Sequence, residues 1–277
     1  DPNGTGRYFN GLIDEVCIYK RALSQAEIRE QMHLVKLDAN DPGLKAYYQF
    51  NEPGSGGPAL DRSGTIHLGL NADAHRALST LAVGPGFSAR RTVTAPGSYY
   101  FGKNVGLEFT TATGGMLPGG EVCATRIDLK PDAMPGADPA SRSYWIVRNY
   151  GQNAGFAPLQ EMRFYRIGRA PLLSGAGAYK LWSRPANGEG DTWFLEDVGD
   201  RRKFGQDGSV FFNDGLQLTG FGQFVLTKPV ADAGPEPEAR DDAPGSAALN
   251  CQVYPNPVSG SGSLQVQAGW DGPAVVR

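Results

Sequence analysis

Glycine and proline interrupt this chain too often for long helices to form. Its 277 residues include 38 Gly and 20 Pro. Proline removes a backbone donor and clashes with the preceding helical turn, while glycine loses the most conformational freedom when it is ordered. Short strands joined by many turns tolerate such breaks. Aromatic residues make up 10% of the chain, and alternating apolar and polar residues recur between the turn signals. The expected fold class is therefore all-β: an antiparallel β-sandwich of jelly-roll or immunoglobulin-like kind, with one short helix near the N-terminus and a disordered linker near the C-terminus.

Charge and cysteine usage remove several functions. A net charge of −3, with basic runs only at Arg90-Arg91 and Arg201-Arg202-Lys203, argues against a nucleic-acid partner, which needs a clustered basic footprint. Both runs read as solvated turns. Cys17, Cys123 and Cys251 have neither zinc nor redox spacing and no disulfide framework. His33, His67 and His75 make no metal-binding motif with each other or with a carboxylate. No apolar run approaches the roughly 20 residues of a membrane-spanning helix. Nucleophile elbows, phosphate loops and dinucleotide fingerprints are missing as well. Asp1 reads as lying inside a domain, so the lack of a signal peptide carries no weight.

Residues Arg7 to Tyr19 alternate as a strand with apolar residues on both faces, as expected between two layers. Asp14 and Glu15 are then a poor glycosidase pair, because neighbouring strand residues point to opposite sheet faces. Ser24 and Glu27 form a capping box with Leu23 and Ile28 at the staple positions, and Ile28, Met32 and Val35 offer an apolar stripe for one helix. The run Phe9 to Val16, then Ile18 to Ser24 with Glu27-Ile28, resembles the closing strand and terminal helix of laminin-G-like, concanavalin-type jelly rolls. That resemblance implies a glycan- or protein-binding sandwich ending near residue 36. Gly43 to Glu52, with Asp61-Arg62-Ser63-Gly64 and His67 to Leu70, resembles the opening of another such unit, and residues 37–86 are read as a connector.

From residue 87 to 229 strand patterns follow one another: Val105 to Phe109, Cys123 to Leu129, Tyr144 to Val147, Met162 to Ile167, Tyr179 to Trp182, Trp193 to Leu195, Val210 to Phe212 and Phe221 to Leu226. Their spacing is that of a sandwich. The segment resembles a module found between lectin-like units and a sorting tail in secreted proteins of gliding, polymer-degrading bacteria. Its aromatics, Tyr99, Tyr100, Trp145, Trp182 and Trp193, are either core or a platform on which a sugar ring stacks. Trp182 and Trp193 flank a loop whose Asn187, Glu189 and Asp191 are candidate calcium ligands, calcium being the one candidate cofactor; the alternative is a solvated turn.

Residues 230–248 form an acidic linker rich in Pro, Ala and Gly, a composition that stays unpacked. Val253-Tyr254-Pro255-Asn256-Pro257, followed by Leu264-Gln265-Val266, resembles the start of the C-terminal sorting domain of the type IX secretion system, here residues 249–277. In that family the domain is read by an outer-membrane translocon, which implies export to the cell surface or beyond. Together these readings point to non-catalytic modules that adhere to a glycan or other extracellular polymer. Two alternatives stay open: the accessory region of a secreted hydrolase whose catalytic domain lies upstream, and a structural spacer.

Overall fold

The computed structural model describes residues 9–35, 41–71, 73–102, 104–109, 116–136, 138, 140–165, 179–199, 209–213 and 216–227. Most regular structure in them is β, in three antiparallel sheets with one short helix. Two compact units divide them. One takes residues 9–22 and 41–79, the other 23–35 and 80–227. The linker and the motif from Tyr254 to Val266 lie outside the described residues, as do Arg201 to Lys203.

In the smaller unit β1 (Val16–Tyr19) pairs antiparallel with β2 (Leu44–Tyr48), Val16 opposite Tyr48 and Ile18 opposite Ala46. The strand is far shorter than the alternation from Arg7 predicts. Glu15 stands at φ 51°, a left-handed conformation that ends strand pairing there. Leu12 and Ile13 are exposed rather than packed between layers. Ala46, Tyr48 and Ala59 form a small core with Val16, Phe50 and Leu70 against it. Asp61 organises the turn that the sequence signals. Its carboxylate accepts from the Tyr47 and Ser63 amides at 3.0 and 2.9 Å, the Ser63 hydroxyl at 2.8 Å and the Ile66 amide at 3.3 Å. Burial opposes the charge on Asp61, but these donors outweigh it and hold the carboxyl at about 2.

Asp14 and Glu15 precede β1, so strand alternation does not govern them. Asp14 accepts the Glu15 amide at 2.9 Å, while the Glu15 carboxylate accepts from the Tyr47 hydroxyl, which Gln49 also contacts at 3.0 Å. Burial raises Glu15 to about 7 against the pull of the Tyr47 bond. The two carboxylates have different partners.

The larger unit opens with α1 (Gln25–Gln31), started by the expected capping box. Ser24 Oγ accepts from the Glu27 amide at 3.2 Å, and Glu27 Oε2 accepts from the Ser24 amide at 2.8 Å. The expected apolar stripe is not what fastens it. Ile28 and Met32 remain 50% and 44% exposed. Polar contacts hold the helix instead: Arg29 meets Glu121 at 2.9 Å and lies 4.1 Å over the Tyr150 ring, and Arg90 meets Glu30 at 3.0 Å. Where the helix ends, His33 donates through Nδ1 to the Ala82 carbonyl at 2.9 Å and accepts from Arg148 through Nε2 at 3.0 Å.

The sandwich has a six-stranded sheet and a four-stranded sheet. The first runs in the order β10 (Phe194–Gly199), β9 (Tyr179–Arg184), β12 (Gln223–Thr227), β7 (Tyr144–Asn149), β6 (Gly120–Ile127) and β3 (Gly86–Val93). The second runs β11 (Ser209–Phe212), β8 (Glu161–Tyr165), β5 (Val105–Phe109) and β4 (Gly97–Phe101). Inward residues of both sheets make one core, with Val122, Trp145, Leu181 and Phe224 facing Phe101, Leu107, Phe164 and Phe212. β3 and β4 were not expected as strands. Arg90 and Arg91, read as a turn, are extended in β3 opposite Cys123 and Val122. Their strand is a sheet edge with polar outward residues, which leaves little apolar alternation to read. No helix of the described residues is long and apolar enough to cross a membrane.

His33 carries a pH dependence. Burial, joined by the Arg148 charge, lowers it to about 4 against the opposing Ala82 bond. The unfolded chain takes up this proton near 6.5, the folded chain only near 4. The stabilisation is therefore complete above 6.5 and lost as pH falls towards 4. Denaturant unfolding followed by tryptophan fluorescence should show about 3 kcal/mol lost through this group over that window, and His33→Gln should remove that share of the slope.

Candidate functional site

The five aromatics that read alike in the sequence take different places. Trp145 is fully buried and packs at a tilt against Phe164 across the sandwich, with 4.7 Å between ring centroids. It belongs to the core and cannot serve as a platform. Tyr99 points inward, edge-on to Phe109, and its hydroxyl donates to the Ala95 carbonyl at 2.8 Å. Trp193 is also buried: its indole donates to the Ala133 carbonyl at 2.9 Å, and the Arg184 guanidinium lies 4.3 Å over the ring. Trp182 is half-buried and donates to Thr227 Oγ1 at 2.8 Å. Both help cover the outer side of the six-stranded sheet with Tyr144, Ile146 and Val225. Only Tyr100 stands in the open, at 50% exposure.

The loop between Trp182 and Trp193 is tied down by groups distant in sequence. Arg184, nearly buried, reaches Gln223 Oε1 at 3.0 and 2.8 Å, the Gly190 carbonyl at 2.7 Å and the Asp132 carboxylate. Gln223 in turn donates to the Ala186 and Gly188 carbonyls. Asn187 accepts from Arg148, and Glu189 accepts from Thr80 at 2.6 Å. Asp191 is exposed. Two of the three candidate ligands thus already serve protein donors, each a different one. Among the described residues no group of three His, Cys, Asp or Glu side chains is placed to hold a metal ion.

Tyr100 does have companions, and they lie on the outer face of the four-stranded sheet. Strand register puts Tyr100 opposite Gly106, Gly106 opposite Arg163, and Arg163 opposite Phe211, forming one row across β4, β5, β8 and β11. The next row along sets Ser98 opposite Glu108 and Glu108 opposite Glu161. Alternation explains why these residues face outward: Phe101, Leu107, Met162 and Phe164 take the inward positions between them.

Gly106, itself buried, lets its neighbours in the row close over it. A Cβ at this position would stand 3.3 Å from Tyr165 Oη, 3.5 Å from Arg163 Cβ and 3.5 Å from Tyr100 Cδ1. The two tyrosines therefore converge over a floor that has no side chain. Arg163 lies 4.0 Å over the Phe211 ring, donates to Tyr165 Oη at 3.1 Å and pairs with Glu161 at 2.8 Å. Burial raises the Tyr165 phenol above its usual range, partly offset by Arg163, so it is neutral at physiological pH and keeps its proton to donate. The face combines aromatic rings, a hydroxyl donor and two carboxylate acceptors fixed on paired strands.

Sequence alternation marks Glu161, Arg163 and Tyr165 as outward in β8, but their meeting with Tyr100 depends on pairings between strands some sixty residues apart. A single sequence gives no such register. No protein-family model, curated protein or solved structure matches the chain.

Proposed function

We propose that this chain is a non-catalytic, glycan-binding part of an exported, cell-surface bacterial protein, and that the outer face of the four-stranded sheet is its contact surface. One observation carries the reading: Tyr100 and Tyr165 converge over Gly106 beside a fixed guanidinium and two carboxylates. A pyranose ring offers an apolar C–H face to a flat aromatic side chain and a rim of hydroxyls to polar groups around it. Rings held on strands suit this task because little freedom is lost on binding. Export is supported by the resemblance of Tyr254-Pro255-Asn256-Pro257 with Leu264 and Val266 to a sorting signal, and adhesion by the laminin-G-like segments. The translocon is then the partner of the C-terminal segment.

Affinity gel electrophoresis against soluble polysaccharides tests the surface. Tyr100→Ala should weaken retardation by about tenfold, the loss of one good stacking contact, and should leave the thermal midpoint close to wild type, because the side chain is half exposed. Unchanged retardation in the variant would move the site elsewhere. No retardation of the wild type by any polysaccharide would favour the spacer alternative.

A further inference from the structure

We infer that this face selects neutral, hydroxyl-rich saccharides and discriminates against carboxylated or sulfated ones. The inference rests on the proposed glycan-binding role and adds the ligand's chemistry. Among the described residues three charged groups share the face, Glu108, Glu161 and Arg163, so carboxylates outnumber the cation there. Arg163 is, moreover, already engaged. One terminal nitrogen serves Glu161 at 2.8 Å, the other serves Tyr165 at 3.1 Å, and its plane covers Phe211 at 4.0 Å. Its Nε is buried. The two-pronged presentation with which arginine captures a carboxylate or sulfate is therefore taken up within the protein. Arg163 acts as a positioning residue that fixes Tyr165 and Glu161.

Glu108 and Glu161 stand directly opposite each other on β5 and β8. Like charges in that relation are unfavourable unless donors lie between or above them. Sugar hydroxyls supply such donors, and each carboxylate oxygen accepts more than one. A uronate or sulfate brings no donor at its charged group and adds a further negative charge to the pair, so its approach costs affinity. Tyr100 and Tyr165 add stacking surface that is indifferent to charge. Selection thus falls to the carboxylates.

Matched polymers separate this proposal from the reading beneath it. The whole chain is run in affinity gels, at one ionic strength, against hydroxyethyl cellulose and carboxymethyl cellulose, and against methyl-esterified and de-esterified homogalacturonan. For any backbone that is bound, the neutral member should be retained about tenfold more strongly than the charged one. In Glu108→Gln with Glu161→Gln that gap should close to about threefold or less, chiefly through better retention of the charged member. Glu108→Gln alone leaves the Arg163–Glu161 pair in place and should close part of the gap, so the test stands even if the double variant folds poorly. Charged polymers retained as well as neutral ones by the wild type, with both lost in Tyr100→Ala, would overturn the selection and keep the site. Retention of no polymer would overturn the glycan-binding role itself, and retention unaffected by Tyr100→Ala would overturn the assignment of the site, and with it the selection, to this face.

Discussion

Replacing Arg184 by methionine is expected to destabilise the sandwich by about 2–4 kcal/mol, the cost of removing a buried guanidinium that satisfies several acceptors at once. Arg184 is 2% exposed. It bonds at once to Asp132, Gln223 and the Gly190 carbonyl and stacks on Trp193. Methionine keeps much of the volume but takes the arginine donor away from the Asp132 carboxylate, the Gln223 side-chain carbonyl and the Gly190 carbonyl. Because Gly190 also donates to Asp132 at 2.6 Å, the loop that carries Asn187, Glu189 and Asp191 should loosen with it. Guanidinium unfolding would register a lower midpoint with an unchanged slope. A red shift in native-state fluorescence would report water reaching Trp193. A loss under about 1 kcal/mol, within the range of ordinary surface changes, would contradict the clamp.

Trp145→Ala should cost a similar amount, about 3–5 kcal/mol, for a different reason. It empties a large fully buried site between the sheets, where the indole meets Phe164 and shares a core with Phe212 and Phe224. Trp145→Phe should cost much less, since the ring contact survives. It also removes a buried indole N–H that has no hydrogen-bond partner among the described residues. A surface platform residue would behave otherwise, with either change shifting stability by under about 0.5 kcal/mol. Thermal or denaturant midpoints of the two variants separate these outcomes.

Much of the strand content was legible because inward positions recur with period two, as at Val105, Leu107 and Phe109 or Met162 and Phe164. The helix start was legible too, since a capping box is a local contact between Ser24 and Glu27. The failures were non-local. Arg90 and Arg91 looked like a turn because strand β3 gains its order from β6 rather than from its own apolar pattern. Trp182 and Trp193 read as either core or platform, because the contacts that decide between them come from Asp132 and Gln223, 52 and 39 residues from Arg184, which draw the neighbouring loop onto the sheet. Tyr100 was among the candidates, while Glu108, Glu161, Arg163 and Tyr165 were not, because only strand register assembles them. Glu15 shows the same limit: its left-handed backbone and its bond to Tyr47 join residues 32 apart.

The most direct test of the central claim is residue-level mapping of saccharide contact. Backbone amide spectra of the isotope-labelled chain would be followed during titration with a neutral oligosaccharide taken from a polymer that retards it in gels. The account predicts shifts centred on Tyr100, Gly106, Glu108, Glu161, Arg163 and Tyr165, with little change from Trp182 to Trp193. Shifts centred on the 185–191 loop, or on the smaller unit, with the four-stranded sheet unmoved, would contradict it.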